Sequence, residues 1–262
     1  MKYKEHKFFS EDQDDASIKL ISDAVRNFDE IEGGEGERNT IKNLTSQNLN
    51  LNIKSFKVPH LVNRIAYSFF RKSKANRSFE YANDLIKKGI KTPKPFAYFE
   101  YRNLKLLHKS FYVSEQISYN LTYRELTTDL NYPDYDTILR EFTRFTFDLH
   151  EKGVNFLDHS PGNTLIKKNK NTGKYDFYLV DLNRMNFHAM SFEDRMKNFA
   201  KLTSRKDMVA VMSNEYAKLL SESEEEVFNK MWSLTEIFQK KYHKKTAIKR
   251  KVFFWKKRYR DT

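Results

Sequence analysis

The sequence of 262 residues predicts an α+β chain of two lobes, a small antiparallel sheet with one helix followed by a mostly helical half. Three observations predict it. Leu49-Asn50-Leu51-Asn52-Ile53-Lys54-Ser55-Phe56 alternates apolar and polar residues, as a half-buried strand does. Ile138, Phe142, Phe145 and Leu149 recur at helical spacing, and Gly153 can close that helix as a left-handed cap. A polar loop follows, then Thr164-Leu165-Ile166 and Tyr175 to Val180 flank the lysine-rich turn 167–174, a hairpin pattern. The first lobe is expected over residues 1–116 and the second over 117–262, ending in a basic tail from about residue 240.

The remaining elements follow in order. Ile18, Ile21, Val25 and Phe28 indicate a short helix behind Asp14 or Asp15 as N-cap. Gly33-Gly34-Glu35-Gly36 lies between Phe28-Asp29-Glu30-Ile31 and Asn39-Thr40-Ile41-Lys42, where it can form a tight turn joining two strands. Ser73 to Lys88 reads as a helix with Phe79, Ala82, Leu85 and Ile86 on one face and Glu80 as its only glutamate. Pro93 and Pro95 stop any helix and start the strands Phe96 to Tyr101 and Phe111 to Ile117. A further helix is expected from Ser191 to Leu202, and Ser221 to Glu226 reads as an acidic helix start.

Composition limits the possible classes. Zero cysteines exclude disulfides and Cys-ligated zinc and fit a cytosolic protein. Apolar runs are far shorter than the roughly 20 residues a transmembrane helix needs, and the charged N-terminus has no signal-peptide core. The net charge is +13, yet residues 240–262 hold eleven Lys/Arg and one acid, so this tail carries +10 and the rest only +3. No nucleic-acid partner is expected from that distribution. Ile248, Val252, Trp255 and Tyr259 make the tail a basic amphipathic helix, suited to an anionic membrane surface. Packing on the second lobe with a solvated basic rim is an alternative, as is base stacking by Phe253, Phe254 and Trp255.

The chemistry-bearing residues cluster around the hairpin. Asp158 precedes Asn163 by five positions, with Pro161 and Gly162 holding the loop open, and Asp181 ends the apolar strand Phe177-Tyr178-Leu179-Val180. Phosphoryl transfer needs a metal ion bridging phosphates and a carboxylate beside the attacking hydroxyl. Asn163 and Asp181 would hold Mg²⁺ and Asp158 would accept the hydroxyl proton. Lys54, in Leu51-Asn52-Ile53-Lys54, fits a strand lysine on the phosphates, with Glu80 as its positioning partner and Asp84 in reserve. Gly34 and Gly36 would cover the phosphates, although Glu35 and Glu37 place negative charge there. Backbone groups near Glu115 to Ile117 would bind the base. The plain alternative is a surface hairpin whose Asp and Asn only form turns.

With these residues in view, the chain resembles the lipopolysaccharide kinase family, the Kdo and heptose inner-core kinases, especially its Bacteroidetes-type members. The similar stretches are Lys54 to His60, Tyr67 to Ala75, Gly89-Ile90-Lys91-Thr92-Pro93-Lys94-Pro95, Asp158 to Asn163 and Val180-Asp181-Leu182-Asn183-Arg184-Met185, within residues 38–202. The resemblance implies a two-lobed protein-kinase-like fold, ATP with Mg²⁺, and a Kdo or heptose hydroxyl on a lipid-anchored acceptor at the inner face of the inner membrane. Phe156 and Leu157 replace the His-Arg that precedes the catalytic Asp in protein kinases, which argues against control by loop phosphorylation. Asp181-Leu182-Asn183 replaces Asp-Phe-Gly, with Asn183 expected to tolerate the left-handed backbone. The short segment after Asp181 suits a sugar acceptor better than a peptide. A protein Ser/Thr kinase, an inactive kinase-like scaffold and a non-enzymatic basic nucleic-acid-binding protein are the other readings.

Overall fold

A computed structural model describes residues 3–35, 39–46, 49–56, 71–103, 106–220 and 222–258, which fall into two compact units. The first comprises residues 1–120 and 165–185, the second residues 121–164 and 186–262.

The first unit is built on a six-stranded sheet of β1 (Lys4–Phe9), β2 (Gly33–Glu35), β3 (Asn39–Thr45), β4 (Asn50–Phe56), β5 (Pro95–Asn103) and β6 (Leu106–Glu115), in the order β1-β5-β6-β4-β3-β2. Every neighbouring pair is antiparallel. The period-2 rule divides its faces. Leu51 and Ile53 of β4, Ala97 and Phe99 of β5 and Phe111 and Val113 of β6 join Ile21, Ala24 and Val25 of α1 (Asp15–Arg26) in one buried cluster. Asp14 caps α1 by accepting from Ser17 N at 2.7 Å. On the opposite face, α2 (Lys74–Lys87) packs on β5, with the Phe79 and Tyr98 rings 5.5 Å apart. Lys54 and Phe56 share the parity of Tyr98's face, because Lys54 stands opposite Tyr112 and Tyr112 opposite Tyr98.

The segment Phe28–Glu30 departs from the strand expected there and forms a 3-10 turn. Phe28, 3% exposed, is drawn into the core against the Phe111 ring at 5.1 Å, and no alternating pattern survives that burial. Gly33 and Gly34 accordingly lie within β2, opposite Lys42 and Ile41, rather than in the turn. Gly36 and Glu37 lie outside the described residues.

The hairpin of β9 (Thr164–Lys168) and β10 (Tyr175–Leu179) is fastened to the segment before β5. Leu179 N donates to Lys91 O at 3.0 Å, Thr92 Oγ1 donates to Leu179 O at 2.8 Å, and Lys91 pairs with Asp176 at 2.7 Å. These bonds fix the chain two residues before Asp181.

The second unit runs through β7 (Leu121–Thr122), α3 (Tyr123–Thr128), α4 (Tyr135–Glu151) and β8 (Val154–Phe156), and resumes after β11 (Met185–Phe187) with α5 (Phe192–Phe199), α6 (Lys206–Ala217) and α7 (Glu224–Arg258). Helix α4 packs on α6, and α6 and α5 both pack on α7. Gly153 ends α4 with φ +68°, and a Cβ there would meet His188 O at 2.9 Å, so both the backbone angle and the space demand glycine. The buried Glu215 of α6 takes Arg144 at 2.6 Å, Arg140 at 3.2 Å and Lys218 at 3.3 Å. Burial alone would raise its pKa, but these three cations hold it below the ordinary value.

Helix α7 is 35 residues long, about 52 Å at the usual rise per residue. The basic tail is therefore its continuation, not a separate helix. Tyr242 and Ile248 are exposed, the side chains of Val252 and Trp255 lie outside the described ones, and so does Tyr259 altogether. Among the described residues, no helix is long and apolar enough to cross a membrane.

Candidate active site

In the first unit, Lys54 of β4 meets Asp181, 127 positions away, with Nζ 2.5 Å from Oδ1. The Lys54 side chain is only 12% exposed, so this ion pair is shielded from water on most sides. Asp181 has φ +58°, a left-handed conformation that short polar side chains tolerate. The left-handed residue is thus Asp181 itself, where Asn183 was expected. Asn183 instead turns its side chain back, donating Nδ2 to Asp181 Oδ1 at 2.7 Å, while its carbonyl accepts from Arg77 Nη1 of α2 at 2.8 Å. Lysine, amide and arginine together hold the carboxylate and its turn in one place.

Glu80 does not reach Lys54. It pairs with Lys72 at 2.5 Å, and Asn76, with its amide oriented to suit both neighbours, donates to Glu80 at 3.2 Å and accepts from Tyr98 at 3.0 Å. Arg77 is buried at 8% exposure, while Glu80 is half-buried and taken by Lys72. No ion pair of Lys54 with Asp84 forms either. The segment expected to hold the base follows β6. Glu115 N is used by Lys94 O at 2.8 Å and Gln116 N by Asn50 O at 2.8 Å, while Ile117 O accepts from Gln116 Nε2 at 3.2 Å. Ile117 N–H makes no bond among the described residues.

In the second unit, the loop after β8 brings Asp158 and Asn163 together. Asn163 Nδ2 donates to Asp158 O at 2.8 Å, and Asn163 N donates to Ser160 O at 2.9 Å, closing a compact turn. The bond uses the amide nitrogen of Asn163 and leaves its oxygen for a cation. Lys201, just beyond α5, donates to Leu157 O at 2.5 Å and lies 3.6 Å from Asp158 Oδ1. Arg124 of α3 covers Gly162, its Nη2 2.7 Å from where a Cβ would sit.

Beneath this loop is a buried polar chain. Asn198 of α5 donates Nδ2 to Phe156 O at 3.0 Å and to Asn155 Oδ1 at 3.1 Å, which turns its Oδ1 toward two imidazoles. His159 Nδ1 lies 2.8 Å from that oxygen and His150 Nε2 3.3 Å. Both must donate, so the other nitrogens are acceptors. His150 Nδ1 accepts from Tyr216 OH at 2.8 Å, and His159 Nε2 is buried without a partner. Both rings are therefore neutral, and burial depresses their pKa values, His150 to about 3 and His159 to about 4.

Sequence reading missed Arg77, Asn198 and Lys201. Their roles rest on contacts 39 to 106 positions away, and only Arg77, polar on the apolar face of an amphipathic helix, left a local trace. Asp181 in the first unit and Asn163 in the second each offer oxygen of the kind that magnesium takes. Among the described residues no three His, Cys, Asp or Glu side chains form a metal cage, whereas a magnesium ion typically takes one or two carboxylates plus substrate phosphates.

The fold and these paired groups define a protein-kinase-like chain. Among solved structures it matches WaaP in complex with acyl carrier protein, with a TM-score of 0.60 and 16% identity over 91% of this chain and 98% of that one. A sequence model of the Lipopolysaccharide kinase (Kdo/WaaP) family matches residues 23–222, so the chain belongs to that family. No curated protein sequence matches it.

Proposed function

We propose that the chain transfers the γ-phosphate of ATP, with Mg²⁺, to a Kdo or heptose hydroxyl of the lipopolysaccharide inner core. Asp158 is the base that accepts the hydroxyl proton, Asn163 and Asp181 are the metal ligands, and Lys54 anchors the phosphates. Ile117 and, from β2, Gly34 border the nucleotide. Glu80 is not given a positioning role, since Asp181 holds Lys54. The observation that carries this reading is the Lys54–Asp181 contact: a strand lysine and a turn carboxylate, the residue types that phosphate and metal binding call for, meet across 127 positions.

The test is transfer of γ-labelled phosphate from ATP and Mg²⁺ into the lipid, protein and nucleic-acid fractions of a host extract. Label in the lipopolysaccharide fraction is expected. Label confined to protein would replace the sugar acceptor with a peptide one.

The exposed basic end of α7 is proposed to bring the enzyme to the inner face of the membrane. Residues 240–248 carry four lysines on a largely exposed helix, and each basic residue near an anionic surface contributes on the order of 1 kcal/mol. The full-length protein should sediment with vesicles containing anionic lipid and not with neutral ones. Lys240→Glu, Lys241→Glu, Lys244→Glu and Lys245→Glu together should abolish that binding; retention by the quadruple variant would reject this role for the helix.

A further inference from the structure

We propose that Lys74 is a second phosphate-binding lysine of the nucleotide site, an inference that rests on the assignment of that site to ATP. Lys74 opens α2, directly after its N-cap Ser73. Its Nζ lies 5.8 Å from the centroid of the Phe56 ring, and the Nζ of Lys54 lies 5.5 Å from the same centroid. One ring on the site-facing side of β4 thus carries two ammonium groups.

Their charges are met differently. Lys54 has Asp181 at 2.5 Å, whereas Lys74 has no carboxylate at ion-pair distance among the described residues. The charges that act on Lys74 are Asp181, which attracts it, and Lys54, Arg77 and Arg184, which repel it. A single carboxylate, already bonded to Lys54 and Asn183, cannot neutralise this group.

Three costs therefore fall on one side chain. It is half-buried, and desolvation pushes its pKa down. It faces like charge. It also stands in the first helical turn, where the backbone dipole disfavours a cation and where α2 has no acidic residue. A solvated surface lysine would swing away from all three. Held over Phe56, Lys74 sets a second ammonium group beside Lys54 without an ion pair of its own among the described residues, and the ligand class that fits is a polyphosphate, which supplies several negative oxygens at once.

The experiment compares the full-length protein with Lys74→Met by calorimetric titration of ATP, ADP and adenosine in the presence of Mg²⁺, with Lys54→Met as the reference. Lys74→Met should weaken ATP about tenfold, the loss of one charge-assisted contact, and leave adenosine unchanged. Lys74→Arg should recover part of the loss. Unfolding of the nucleotide-free Lys74→Met variant should require a higher temperature than wild type, because a repelled, desolvated charge has gone. Wild-type affinity for ATP in Lys74→Met would overturn the inference, as would an equal loss for ATP and adenosine, which marks damage to the fold. Failure of wild type to bind ATP at all would overturn both this inference and the assignment it rests on, and differs plainly from tight wild-type binding that Lys74→Met leaves untouched.

Discussion

Asp158→Asn is expected to lower kcat for phosphoryl transfer by roughly 10²- to 10⁴-fold, the range for loss of a positioned general base, with the affinity for ATP nearly unchanged. The substitution keeps the shape of the side chain and leaves in place the backbone contact that closes the loop. The Asp158 contact that closes the turn is its backbone oxygen, held by Asn163, and the next residue is anchored through His159 to Asn198. What the variant removes is a proton acceptor and the negative charge 3.6 Å from Lys201. Single-turnover transfer of label at saturating ATP would read the chemical step directly. A variant with wild-type turnover would mean that Asp158 accepts no proton, and the base would have to be sought elsewhere.

The second large effect concerns acid. His150 and His159 carry pKa values of about 3 and about 4 in the folded chain, against 6.5 for the free side chain. The unfolded chain therefore binds protons that the folded chain refuses, and the sign follows: stability is complete above pH 6.5 and is lost as pH falls from there toward 4. Each histidine contributes a slope of up to about 1.4 kcal/mol per pH unit in that window. Two such slopes act on a total that is ordinarily only 5–15 kcal/mol, so marked loss by about pH 5 is expected. Urea unfolding at pH 7, 6 and 5 measures it. His159→Gln keeps an amide donor for Asn198 and cannot titrate, so it should remove about half of the slope. An unaltered slope would assign the acid sensitivity to carboxylates instead.

Much of the scaffold was legible because it is written in local periodicity. The Leu49–Phe56 alternation, the helices behind Asp14, Ser73 and Ser191, and the left-handed cap at Gly153 appear where residue pattern and capping chemistry put them. The proximity of Asp158 and Asn163 was legible as well, since they sit in one short turn. Partner choice was not. Whether Lys54 meets Glu80 or Asp181 is settled by tertiary contacts: Lys72 takes Glu80, and Asp181 arrives from 127 positions away. Phe28 shows the same limit: a run that suits a strand becomes a 3-10 turn because one ring finds Phe111. The histidine chain could not be read at all, because Asn198 is an ordinary helix residue until the fold sets two imidazoles against one oxygen.

The turn at Asp181 has a further consequence for how such an enzyme is governed. In protein kinases this turn carries a glycine, the residue with the freest backbone. Here no glycine is present, and the residue in its place is tied at both ends, its amide to Asp181 and its carbonyl to Arg77. A turn fastened in this way would have to break both bonds before its carboxylate could move. Within the first unit the Asp181 carboxylate is thus kept against Lys54 by a turn that is itself held from both sides.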